Sequence, residues 1–169
     1  MKGFPSSGTV LWLLLGEAQP PLEGRRTLQV GIAPWRNSPA YSSFLEACGV
    51  QWMGQDEVRR LGIGTAVARA VRAVAGGKFG LTFDLDVLAA AYAPGVSAPA
   101  TAGLAPGEAA EAVRLLSALP GCVGMDLVEC SPLLDPEGRT ARAAAELVLA
   151  FWAGKALAAR FPQAWKGGI

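Results

Sequence analysis

Apolar residues along this chain alternate between short continuous runs and longer stretches that repeat every three to four residues. The short runs predict strands over 27–33, 50–53, 79–87 and 122–130. The periodic stretches predict helices over 38–49, 56–62, 65–77, 106–119 and 140–161. The apolar segment TVLWLLLG (9–16) is too short to cross a bilayer and is predicted as a buried strand or a short helix. Helical and extended segments thus follow one another in turn.

Local signals support several of these boundaries. Pro39 lies in the predicted first turn of the helical segment 38–49, and the helix is expected to end just before Gly49. Asp56 is expected to cap helix 56–62, and Gly62 is expected to end it.

Strands separated by helices predict an α/β fold, with a parallel sheet that is covered by helices on both faces. The chain shows no internal repeat and no obvious linker. In such sheets, ligands bind outside the carboxyl ends of the strands. Asp84, Asp86 and Glu129 are all predicted to lie at that edge.

Composition excludes several classes of function. Of 169 residues, 51% are hydrophobic and 17% are charged, with a net charge of +1, which indicates a buried core. No basic run is long enough to predict binding to nucleic acid, and no segment predicts a membrane span. Cys48, Cys122 and Cys130 are widely spaced and are predicted to be buried free thiols in a reducing cytoplasm.

Asp84 and Asp86 carry the strongest chemical signal. Side chains two residues apart on a strand point to the same side, so the two carboxylates are predicted to converge. Such a pair repels unless a proton or a cation neutralises it, and its hard oxygen atoms suit Mn²⁺ or Mg²⁺. By itself, however, a D-x-D pair is more often a loop cap or a solvated strand end.

Longer motifs favour a metal site over a loop cap or a solvated strand end. The segment FDLDVLAAAYAPGVSAPATAGL (83–104) resembles the third metal motif of the ureohydrolase family, which includes arginase, agmatinase and formimidoylglutamase. GMDLVECSPLLDPEGRTARAAAELV (124–148) resembles the D-x-x-E-x-x-P strand of that family and the helix that follows it. LQVGIAPWRNSPAYSSFLEACGVQWMGQDEVRRLGI (28–63) resembles the stretch between the second and third metal motifs. The chain is therefore identified as a member of this family, and its APGVSAP and NSPAY segments are most similar to formimidoylglutamase.

The resemblance implies a partial arginase-like three-layer fold and a hydrolase of carbon–nitrogen bonds in linear amidines. Two Mn²⁺ ions, roughly 3.5–4 Å apart, would share a hydroxide that attacks the amidine carbon. Carried over from the family, Asp84 would bridge both ions and Asp86 would bind one of them. Arg36 and Asn37 either face the substrate or form a turn.

Glu129 would face the cationic amidine end of the substrate, where a carboxylate offers a charge-assisted hydrogen bond. Without the resemblance, a solvated residue at the end of a strand is the simpler interpretation of Glu129. Asp126 is expected to be a buried group behind the site or a cap.

The same resemblance shows what the chain lacks. The family also takes ligands from G-G-x-H and D-A-H-x-D stretches, which are not found in this sequence, and the chain contains no histidine. Residues 1–169 are therefore interpreted as the carboxyl-terminal portion of one ureohydrolase domain. On its own, the chain is expected not to assemble the two-metal centre.

Three hypotheses remain open. The chain belongs to a cytoplasmic formimidoylglutamase-like enzyme of histidine breakdown, which forms glutamate and formamide from N-formimidoyl-glutamate. Alternatively, it belongs to an agmatinase or an arginase. The third possibility is a non-catalytic remnant that acts through a partner. The first two imply an oligomer or dependence on a missing half, with a small amidine as substrate and no nucleic acid or membrane.

Overall fold

The computed structural model describes residues 9–135 and 137–161. Its helices are α1 (Val10–Gly16), α2 (Pro39–Ala47), α3 (Gln55–Leu61), α4 (Ile63–Val74), α5 (Pro106–Ser117) and α6 (Arg139–Arg160). Its strands are β1 (Leu28–Ile32), β2 (Gln51–Gly54), β3 (Phe79–Asp84) and β4 (Cys122–Val128). Short 3₁₀ turns occupy Gly24–Arg26, Pro34–Arg36, Leu85–Val87 and Pro132–Leu134.

The elements predicted from the sequence pattern are found in the predicted order, with small shifts at their ends. Segment 9–16 forms a helix, α1, and none of the residues of α1 is buried. Pro39 is the first residue of α2, as its fixed backbone angle favours. Gly62 ends α3 with a positive φ of 79°, a conformation that glycine adopts without strain.

Two local predictions were wrong. Asp56 does not cap α3, because the helix begins one residue earlier, after Gly54. Asp56 instead accepts a hydrogen bond from Arg59, 3.0 Å away, within the first turn. The strand predicted over 79–87 ends at Asp84, and Leu85–Val87 turns away as a 3₁₀ segment.

The described strands form two parallel pairs, β1 with β2 and β3 with β4, and the two pairs are not hydrogen-bonded to each other. Close contacts at both ends show that the pairs run in the same direction. At the amino ends, Gly77 touches the Arg26 guanidinium; near the carboxyl ends, Gly31 touches Val87. Gly31 has a φ of 83°, and a side chain there would collide with Val87. This arrangement confirms the α/β class with parallel strands.

One hydrophobic core joins the two strand pairs to the helices. Its fully buried side chains include Met53, Val58, Leu85, Leu88, Val96 and Leu147. Helix α6 crosses α5 so closely that a side chain at Gly154 would collide with Ser117 and the backbone of Arg114. The β3–β4 pair turns Phe83 and Leu127 toward this core.

The opposite face of the β3–β4 pair is exposed within the described residues. Thr82, Asp84, Asp126 and Val128 all lie on that face. Asp126 was predicted to be a buried group behind the site or a cap, and the predicted burial was wrong. The strand alternates its side chains, and Asp126 has the same parity as Val128, on the exposed side.

The cysteines differ from one another in exposure, and all three are free thiols. Cys122 is buried in the core as predicted, but Cys48 is half-buried and Cys130 is exposed, so burial was predicted wrongly for Cys130. Across residues 9–135 and 137–161, none of the helices combines the length and the apolar character needed to cross a membrane.

Candidate metal centre

Asp84 and Asp86 are adjacent in the structure, although not for the predicted reason. Asp84 is the last residue of β3, and Asp86 lies in the 3₁₀ turn that follows. The backbone N–H of Asp86 donates to Oδ1 of Asp84 at 3.1 Å. A tight turn closed by this hydrogen bond, rather than the alternation of a strand, therefore holds the two carboxylates together.

The surroundings of this pair favour protonation. Partial burial raises the pKa of Asp84 to about 6, and the Asp86 and Glu129 carboxylates add to this rise, while the backbone N–H of Asp86 opposes it. Burial also raises the pKa of Asp86; Glu129 adds to this rise, while Asp84 and the Arg36 guanidinium oppose it. The three acidic groups predicted from the sequence therefore lie within electrostatic range of one another.

Glu129 reaches this edge from the neighbouring strand. It directly follows β4, whose Val128 pairs with Asp84 in the β3–β4 register. Its φ of 67° is a left-handed conformation, uncommon for a residue with a side chain. The hydroxyl of Ser97 donates a hydrogen bond to Oε2 of Glu129. Ser97 was not predicted as a site residue; its position inside the APGVSAP segment was the available signal.

The loop that carries Ser97 is fastened to the chain beyond β4. The Gly95 N–H donates to the buried Thr140 hydroxyl at 2.7 Å, and the Gly95 carbonyl accepts from the Ser131 N–H at 2.8 Å. A side chain at Gly95 would collide with Asp135. Glycine is thus the residue that lets loop 94–99 lie against the segment between β4 and α6.

Arg36 and Asn37 have different places. The Asn37 side chain donates to the Ala33 carbonyl at 3.0 Å and so closes its own turn. The Arg36 guanidinium donates to the carbonyls of Ala98 and Pro99 at 3.3 and 3.4 Å, and its charge also lowers the pKa of Asp86. Arg36 therefore links the end of β1 to the loop of Ser97 and places one positive charge beside the aspartates.

The chemistry of these donors fits a hard divalent cation. Two carboxylates whose pKa values are raised by partial burial and by the nearby Glu129 carboxylate gain the most from a cation, and Mn²⁺ accepts oxygen ligands. The number of donors fits only in part. Residues 9–135 and 137–161 contain no cluster of three or more histidine, cysteine or acidic side chains arranged to hold a metal ion. Within this part of the chain, Asp84 and Asp86 would supply a portion of the ligands.

The chain belongs to the arginase family, whose family model matches residues 2–153. It is 37% identical to a guanidinopropionase of Pseudomonas aeruginosa over 127 residues, which are 75% of this chain and 40% of that protein. It is 33% identical to a formimidoylglutamase of Bacillus subtilis over 150 residues, which are 87% of this chain and 46% of that protein.

Among solved structures, the chain is similar to the Trypanosoma cruzi formiminoglutamase crystallised with Mn²⁺. The TM-score is 0.84 at 29% identity, over 91% of this chain and 50% of that one. The chain thus spans half or less of the length of these relatives. The family and fold predicted from the motifs are confirmed, whereas the roles of Asp84, Asp86 and Glu129 stay predictions.

Proposed function

We propose that this chain forms the carboxyl-terminal part of a manganese-dependent hydrolase that cleaves carbon–nitrogen bonds of linear amidines. The observation that carries this proposal is the convergence of Asp84, Asp86 and Glu129 at the carboxyl ends of β3 and β4. Family membership supports the reaction class, and the Mn²⁺ in the Trypanosoma cruzi structure supports the choice of metal.

In this proposal, Asp84 and Asp86 hold the metal and Glu129 holds the substrate. When bound, the Mn²⁺ ions supply positive charge that activates water and stabilises the developing negative charge. Glu129, held by Ser97, accepts hydrogen bonds from the cationic amidine and orients its carbon atom. Arg36 restrains the adjoining loop.

The substrate that we propose is N-formimidoyl-glutamate, hydrolysed to glutamate and formamide. Support comes from the formimidoylglutamases among the similar proteins and structures and from the APGVSAP and NSPAY segments. A guanidino acid is the second candidate, supported by the 37% identity to a guanidinopropionase.

We further propose that the activity requires a second polypeptide segment that supplies the remaining ligands. The described residues provide only Asp84 and Asp86, and the relatives are more than twice as long as the part this chain matches. The chain alone is therefore expected to be inactive with Mn²⁺.

The test is reconstitution with the amino-terminal half of the Bacillus subtilis formimidoylglutamase. Glutamate release from N-formimidoyl-glutamate is measured with Mn²⁺ for each half and for the co-produced complex. We expect activity only from the complex, and a loss of at least about 100-fold for Asp84→Asn or Asp86→Asn. Glu111→Gln is the control, since Glu111 is an exposed carboxylate on α5, outside the candidate site and outside the β3–β4 face.

Two results separate the alternatives. Urea release from 3-guanidinopropanoate, without glutamate release from the formimidoyl substrate, would establish the second candidate. A folded complex that binds Mn²⁺ but hydrolyses neither compound would show that the proposed reaction is wrong.

A further inference from the structure

A polar cavity lies at the end of the molecule opposite to the candidate metal centre. Its volume is about 270 Å³, and its walls include Leu28 and Gln51, the first residues of β1 and β2. These two residues are partners in the parallel register. Because β1 and β3 run in the same direction, this cavity is at the amino ends of the strands, whereas Asp84 is at a carboxyl end.

Three arginines contribute to its walls. Arg25 belongs to the 3₁₀ turn before β1, and Arg69 and Arg72 lie one turn apart on α4. Arg69 is paired with Glu57 at 2.7 Å. Within the part of the chain that the structure describes, no carboxylate lies within ion-pair distance of Arg25 or Arg72. Three positive charges and one negative charge leave two positive charges beside the cavity.

The number and type of these donors favour a phosphate group. A carboxylate presents two oxygens in one plane and is satisfied by a single guanidinium fork, as Glu57 is by Arg69. A phosphate group presents at least three oxygens around a tetrahedral atom and carries up to two negative charges. Guanidinium groups that come from two different elements can approach such a group from different directions.

We propose that this cavity, lined by Arg25, Arg69 and Arg72, binds a small phosphate-bearing anion. The exposed indole of Trp52 forms part of the wall and becomes less accessible to water when the anion enters. Being at the far end of the strands, the site is independent of the proposed hydrolysis.

The test is isothermal titration of the complete chain with inorganic pyrophosphate at low ionic strength, with tryptophan fluorescence as a second readout. We expect saturable binding that weakens as salt is added. Arg25→Ala or Arg72→Ala is expected to weaken binding about tenfold, which is the loss of one charge-assisted hydrogen bond. Arg60→Ala is the matched control, an exposed arginine on α3 that does not line the cavity, and should change the affinity by less than about twofold.

Two further arms make the result decisive. Arg25→Lys and Arg72→Lys keep the charge and most of the stem, and they should still weaken binding because lysine lacks the planar fork. Malonate, a dicarboxylate, should bind about tenfold more weakly than pyrophosphate. Absence of pyrophosphate binding, equal affinity in the Arg72→Ala protein, or equal affinity for malonate would each overturn the proposal, and none of them affects the proposed hydrolase.

Discussion

At the scale of single residues, the carboxylate of Asp84 lowers the stability of the folded chain when it is ionised, and it is also a proposed metal ligand. Its pKa of about 6 exceeds the ordinary 3.8, mainly because of partial burial, so the folded chain binds this proton more tightly than the unfolded chain does. As the pH rises from about 4 to about 6, the folded state therefore loses stability relative to the unfolded state, and above that range the loss is complete.

Asp84→Asn should remove this pH-dependent loss of stability. Without metal, we compare the unfolding free energy of the variant with that of wild type. We expect the difference to shift by about 1 kcal/mol in favour of the variant from about pH 4 to about pH 7. This figure is reduced for partial solvent exposure. Urea unfolding at the two pH values measures this shift, with Asp126→Asn as the control. A difference between Asp84→Asn and wild type that does not change with pH would contradict the prediction.

Ser97 gives a second prediction at this scale, which depends on the proposed function. Because its hydroxyl donates to Glu129, Ser97→Ala should free the carboxylate and raise KM for the amidine substrate about tenfold in the reconstituted enzyme. Ser97→Thr keeps the hydroxyl and should restore most of the affinity. If the Ala and Thr variants have the same KM and the same melting temperature as wild type, Ser97 does not position Glu129.

At the scale of elements, the start of α6 fixes the loop beside the candidate site. Asp135 accepts hydrogen bonds from the Thr140 and Ala141 N–H groups at 3.1 and 3.0 Å. Burial would raise the pKa of Asp135, but these N–H groups outweigh it and lower the pKa below the ordinary value. This contribution to stability is present above about pH 4 and is lost as the pH falls through the lowered pKa.

Thr140→Val tests the connection between this helix and the loop. Valine has a similar shape, but it leaves the Gly95 N–H without the acceptor that now lies 2.7 Å away. An unsatisfied buried donor costs about 1–3 kcal/mol, so the melting temperature should fall. Thr101→Val, at an exposed position, should change stability by less than about 0.5 kcal/mol, and equal melting temperatures for the two variants would refute the connection.

At the scale of the whole molecule, we propose that this chain packs against further polypeptide through two exposed surfaces. One is the outer stripe of α6, formed by the exposed residues Ala145, Val148, Leu149, Trp152 and Ala156. Leu149 is 71% exposed and Trp152 is 64% exposed. The other is the exposed face of the β3–β4 pair. Since these relatives are more than twice as long as the matched part, the amino-terminal half supplied by reconstitution is the proposed occupant.

The isolated chain should consequently self-associate through these surfaces. We expect sedimentation velocity to show oligomers whose proportion rises with protein concentration, and expect Leu149→Lys with Trp152→Lys to shift them toward monomer. Leu133→Lys is the control, because Leu133 is also exposed but lies in the turn after β4, outside the stripe. A wild-type chain that stays monomeric at all concentrations would contradict this prediction.

Much of the fold follows from local sequence signals. The α/β class, the order of helices and strands and the ends set by Pro39 and Gly62 depend on periodicity and on backbone angles that neighbouring residues determine. The family was evident from two long motifs, 83–104 and 124–148. Asp56 and Asp126 were misjudged because capping and burial depend on one-residue shifts and on which face of a strand is covered.

The sequence by itself therefore determined the element order, the family and the acidic residues at the edge of the sheet. The tertiary structure decided how those residues meet: a 3₁₀ turn joins Asp84 to Asp86, Ser97 holds Glu129, and Arg36 reaches loop 94–99. It also placed Arg25 close to Arg69 and Arg72 of α4, so that the three arginines line one cavity. The physical reason is that, apart from the local Asp84–Asp86 turn, these contacts join positions far apart in the chain, and their geometry is fixed only when the core packs.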